Sequence, residues 1–163
     1  ERLVGSEMCI RDRYAPLGVE AAVTNTATVS GTGITPVTAA ETVNAEAAPN
    51  LAITKSVSPV PVTENGTLTY TFRIQNYGSV AATNTTGVVI TDTFAPVLNN
   101  LTAALNGTAW TATTDYTYNE ATGTFSSTAG AITVPAATYT QDSTTGAWVV
   151  TPGESTLVIT GTV

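Results

Sequence analysis

From Thr67 to Asn76 the chain reads TLTYTFRIQN, in which apolar and polar side chains alternate without a break. Leu68, Tyr70, Phe72 and Ile74 fall on one face, and Thr69, Thr71 and Arg73 on the other. Successive side chains of an extended strand point to opposite faces, so a period of two is the signature of a half-buried strand. The pattern recurs along the chain. LAITKSVS places Leu51, Ile53, Lys55 and Val57 on one face, and VVITDTF does the same with Val88, Ile90, Asp92 and Phe94. AAVTNTATVSG sets Val23, Asn25, Ala27 and Val29 against Thr24, Thr26 and Thr28. After a GTGITP loop, VTAAETVNAEA reads as its partner strand.

Turn chemistry punctuates these runs. PVPVTENG reads as a proline-rich crossing that closes on an Asn65-Gly66 turn, and YGSVAATNTTG reads as a loop. YTYNEATGTFSS and TYTQDSTTGAWVV are two similar hairpins, with Gly123 and Gly146 placed where the polar turn needs a left-handed residue. TPGESTLVITGTV supplies a Pro-Gly turn and a last strand with Leu157 and Ile159 inward. Short strands every 8–15 residues or so, with no helical period, predict an all-β chain built as an antiparallel β-sandwich.

Composition sets limits on function. With 163 residues, 42% of them hydrophobic, the chain suits one domain with a real core. Its net charge is −7, and from Tyr14 onward Lys55 and Arg73 are the only cations. Two cations do not make a phosphate-neutralising surface, which argues against nucleic-acid binding. There is no histidine, so Ser-His-Asp and Cys-His catalysis and the commonest metal ligand are absent. The single Cys9 excludes an internal disulfide. No apolar run approaches the roughly 18 residues of a membrane span, and the charged segment LVGSEMCIRDR lacks the apolar stretch of a secretory signal.

LAITKSVSP, TENGTLTYTFRIQNYGSVAATN, VVITDTF and TPGESTLVITGTV occur in that order. Together they resemble the bacterial surface repeat of the DUF-eleven type, an Ig-like sandwich strung along large secreted proteins. The preceding NTATV strand resembles the end of such a repeat. The resemblance therefore implies three parts: residues 14–47 as the tail of a preceding repeat, 48–163 as an Ig-like repeat lacking its last strand, and an unrelated segment 1–13. Arg2 to Arg13 resembles a translated sequencing adapter of the transposase-end type, which implies no evolved function. An incomplete sandwich exposes a sheet edge, and the Asn25 strand folding back into the vacant slot is the alternative arrangement.

The alternation puts Lys55, Asp92 and Asn25 on the apolar faces of three strands. Buried charges without partners are costly, so Lys55 and Asp92 are expected to meet. The plain reading is a buried ion pair. The sharper one comes from related fimbrial and adhesin domains, in which inward Lys, Asp and Asn side chains form an intramolecular isopeptide bond. There, burial would leave a neutral amine beside a carboxylic acid.

Other candidates read more plainly. Asn65, Asn84, Asn100 and Asn106 match the glycosylation sequon but suit turns and loops. Trp110, Trp148, Tyr116, Tyr118 and Tyr139 fit core and cross-strand positions better than a sugar-stacking platform. Asp115, Glu120 and Asp142 sit by hairpin turns without calcium-loop spacing. The expectation is a non-enzymatic stalk repeat of an extracellular, secreted or wall-attached bacterial surface protein, with neighbouring repeats as partners and no cofactor or metal. The alternative is a module binding host glycan or protein through the aromatic hairpins.

Overall fold

The computed structural model describes residues 22–44 and 47–163. The adapter-like segment 1–13 lies outside the described residues. Twelve strands follow one another: β1 (Ala22–Gly31), β2 (Ile34–Asn44), β3 (Leu51–Ser58), β4 (Thr67–Asn76), β5 (Thr91–Thr93), β6 (Asn99–Leu105), β7 (Thr108–Ala109), β8 (Tyr116–Asn119), β9 (Thr124–Ser127), β10 (Thr138–Gln141), β11 (Trp148–Thr151) and β12 (Gly153–Thr162). The fold is all-β with antiparallel sheets. No helix among the described residues is long and apolar enough to cross a membrane.

Two sheets form the sandwich. One runs β3-β4-β12-β6-β7 and the other β5-β9-β8, while β1-β2 and β10-β11 are separate two-stranded ribbons. The central pair, β4 and β12, stays in register from Gly153 opposite Asn76 to Thr162 opposite Thr67. Its inward side chains, Leu68, Tyr70, Phe72 and Ile74 with Leu157 and Ile159, are all buried. They share one core with Phe94, Tyr116 and Phe125 of the facing layer. Tyr70 meets Phe94 at 4.7 Å between ring centroids, and Tyr116 stacks on Phe125 at 5.4 Å. Aromatic rings in such offset arrangements add a little beyond the area they bury. On the outer face Arg73 forms a two-pronged ion pair with Glu154, with Nη2 donating to Oε2 at 2.6 Å.

The structure also differs from the sequence reading in four places. VVITDTF forms a ladder strand only over Thr91–Thr93. At Ile90 the backbone N–H donates to the Ser127 hydroxyl (2.9 Å), so a side chain replaces one rung of the ladder. The first ribbon turns more tightly than a six-residue loop, with only Thr32 and Gly33 between its strands. Pro36 lies inside β2 where the register shifts, which suits a residue without an N–H to donate. The β6-β7 hairpin was not anticipated. Its turn is Asn106-Gly107, with φ of 49° and 81°, the conformation that two-residue hairpin turns favour. Gly123 and Gly146, by contrast, take the expected left-handed conformation.

Candidate functional site

Strand β3 is an edge of the larger sheet, and its inner-face residues lie opposite the core residues of β4. Ile53 pairs with Ile74, Lys55 with Phe72, and Val57 with Tyr70. The shared register gives them the same facing but not the same cover. Ile74 is 2% exposed and Ile53 is 53% exposed. The facing sheet ends at β5, a strand of three residues, and does not extend over β3. The sandwich is therefore open along one side, between two unpaired strand edges.

Lys55 and Asp92 meet at this opening. The Lys55 ammonium donates to Asp92 Oδ2, and Asp92 Oδ1 accepts the Thr93 N–H at 2.9 Å. Asp92 lies opposite Phe125 on β9, which turns its side chain toward the inside of the sandwich. The ammonium sits 4.9 Å from the Tyr70 ring centroid and 5.4 Å from that of Phe94. Negative ring faces favour a cation at such distances. The pair is not sealed, however: the side chains are 41% and 19% exposed. The expectation of a buried ion pair is corrected accordingly, because among the described residues no strand lies over Lys55 to remove it from water.

Asn25 is not brought to this pair. It stands on β1 opposite Glu41, exposed, in a ribbon whose ladder runs only between β1 and β2. The strand-return alternative is likewise not adopted, since β1 joins neither sheet of the sandwich.

The remaining candidates have local duties. Asn65, Asn100 and Asn106 adopt positive φ, and Asn84 opens a short 3-10 turn. Asn100 lies within strand β6 rather than in a loop. The Tyr116 and Tyr118 hydroxyls donate to the carbonyls of Leu101 and Leu98. Burial pushes the Tyr116 phenol above its ordinary pKa. An open groove of about 700 Å³ runs past these two tyrosines, but their hydroxyls are already engaged with backbone. Tyr139 donates to the Tyr77 carbonyl at 2.8 Å. Asp115 accepts the Thr111 N–H at 2.7 Å.

Asp142 accepts two backbone N–H groups, from Thr145 and Thr144, both at 2.8 Å. These bonds hold its carboxyl below the usual carboxylate range. A depressed folded pKa means the unfolded chain binds the proton more readily. The turn is thus stabilised above the ordinary carboxylate pKa, and this is lost as pH falls through the lower folded value. Protection of the Thr144 and Thr145 amides, taken relative to the free-peptide exchange rate at each pH, is expected to fall over that acidic window, and Asp142→Asn to remove this dependence.

Sequence reasoning did not single out Asn76, the buried junction of this end of the sandwich. Its parity with Leu68, Tyr70, Phe72 and Ile74 was the available signal, since it continues the inward face. Comparison with family models, with curated proteins and with solved structures found no match.

Proposed function

We propose that this chain is a structural, Ig-like repeat of a secreted or wall-attached bacterial surface protein, related to the DUF-eleven repeats it resembles. The observation that carries the reading is the Lys55–Asp92 pair, set between the first strand of the sandwich and the facing sheet. A covalent bond from Lys55 to an incoming strand would tie together elements far apart in sequence, which suits a stalk that spaces and stiffens an adhesive domain. Supporting it, Tyr116 and Phe125 of the first hairpin are buried in the core, and Tyr139 and Trp148 of the second are half-buried. The absence of histidine, the commonest general base, argues against an enzyme.

The cross-link is an expectation about the covered pair. Transfer of one proton from Lys55 to Asp92 leaves an amine beside a carboxylic acid. The amine attacks the carboxamide carbon of an incoming asparagine and a C–N bond forms; the amide nitrogen takes the transferred proton from Asp92 and departs as ammonia, and the attacking nitrogen gives its surplus proton back to the Asp92 carboxylate. Asp92 polarises the carbonyl and relays that proton. Intact mass of the parent protein is expected to fall by one ammonia per cross-linked repeat, and Lys55→Ala to abolish that loss. Unchanged mass in the parent protein would remove the cross-link from the proposal. Glycan-array binding by the chain, sensitive to Trp110→Ala or Trp148→Ala, would overturn the stalk reading.

A further inference from the structure

Among the described residues two apolar faces lack cover. One is the inner face of β3, where Leu51, Ile53 and Val57 are exposed around Lys55. The other is one face of the β1-β2 ribbon. The register places Ala27 opposite Ala39 and Val29 opposite Val37, with Ile34 and Val43 on the same side. Val29, Ile34, Val37 and Val43 are all exposed, Val29 at 68%. The opposite face of the ribbon is mostly threonine, and Thr24 and Thr42 hydrogen-bond across it at 2.8 Å. A lone two-stranded ribbon is marginal in water, and one with an uncovered apolar face has a reason to dock.

The two faces match in charge as well as in apolarity. Along β3 the order is Leu51, Ile53, Lys55, Val57, and along β2 it is Val37, Ala39, Glu41, Val43. Aligned in the same chain direction, apolar meets apolar and Glu41 meets Lys55. Lys55 has three N–H donors, so it can hold Glu41 while keeping Asp92. Asn25, opposite Glu41 on the same face, brings an amide that can donate to Asp92.

This alignment also identifies the occupant. In this alignment the end of β2 lies about 25 Å from the start of β3, and residues 45–50, the only ones between them, would have to run almost fully extended to bridge it. Within one chain the short connection favours the antiparallel arrangement, which sets Glu41 against Ile53 and Ala39 against Lys55. We propose that the β1-β2 ribbon of a second copy of this chain docks on the open inner face of β3, each copy covering the other. Two reciprocal contacts, each as long as β3 and two strands wide, bury about 1,100 Å² in total, near the lower limit of ~1,200 Å² for specific complexes. The dimer is therefore expected to depend on concentration. The inference concerns non-covalent docking and stands whether or not Lys55 ever forms a cross-link.

Sedimentation of the full chain under reducing conditions, which removes any contribution from Cys9, tests this. The unaltered chain is expected to dimerise as its concentration rises. Ile53→Asp spoils the groove and Val29→Asp spoils the ribbon, so each variant alone is expected to be monomeric. Both positions are exposed, so the denaturation midpoint of the sandwich should be unchanged. Thr28→Asp, on the threonine face, should leave the dimer intact. A chain that stays monomeric at every concentration, dimers that survive either variant, or loss of the dimer in Thr28→Asp would each overturn the proposal.

Discussion

Phe94→Ala is expected to destabilise the sandwich by about 3–5 kcal/mol, the range for removing a fully buried aromatic ring. Phe94 is 1% exposed and lies between the two layers. Its ring centroid is 4.7 Å from that of Tyr70, 6.2 Å from Tyr118 and 6.1 Å from Phe125. Truncation removes the apolar area and leaves a cavity that three large rings from different strands cannot easily fill. It also removes one of the faces over which the Lys55 ammonium sits. Urea denaturation should show a lower midpoint with an unchanged slope, since the same surface is exposed on unfolding. Phe94→Leu should cost much less. A shift of under about 1 kcal/mol for the alanine variant would mean that the layers close over the gap.

Asn76→Ala is expected to have a comparable effect through a different mechanism. Asn76 is fully buried at the end of β4, and its side chain uses both ends. Nδ2 donates to the carbonyls of Val80 (2.8 Å) and Pro135 (3.0 Å), while Oδ1 accepts the N–H groups of Asn50 and Gly78, each at 2.9 Å. Four backbone groups from three segments of the chain thus converge on one amide. Alanine leaves all four without this partner, at roughly 1–3 kcal/mol for each group that neither water nor a neighbour rescues. A total loss of about 3 kcal/mol or more is expected, with faster amide exchange at Asn50 and Gly78. Asn76→Asp, which keeps both acceptor sites but loses the donors, should also destabilise, and more so as the carboxyl ionises. Exchange rates at Asn50 and Gly78 that match the unaltered chain would refute the junction role.

Much of the fold was legible because it is written in short-range terms. TLTYTFRIQN and STLVITGTV alternate, and the structure buries the side that the alternation marks as apolar. The two Thr-Gly hairpins were equally plain, since a left-handed turn residue is a local requirement. The β6-β7 hairpin carries a local signal too, Asn106-Gly107, which reads as a turn; its strand β7 is only two residues long and leaves no alternation to mark it. The strand around Asp92 was overextended because the Ser127 hydroxyl substitutes for a ladder bond, and that partner lies 37 residues away. The meeting of Lys55 and Asp92 followed from placing two opposite charges on inward faces. Their exposure did not.

The sequence by itself determined that this chain is built from strands and which way each side chain faces, because a period of two is a property of the extended backbone. Only the tertiary structure decided which of those faces is covered. Ile53 and Ile74 are paired across one ladder and point the same way, yet one is 53% exposed and the other 2%. Alternation fixes direction along a single strand. Burial depends on whether a second layer stands opposite, and over β3 the facing sheet has already ended.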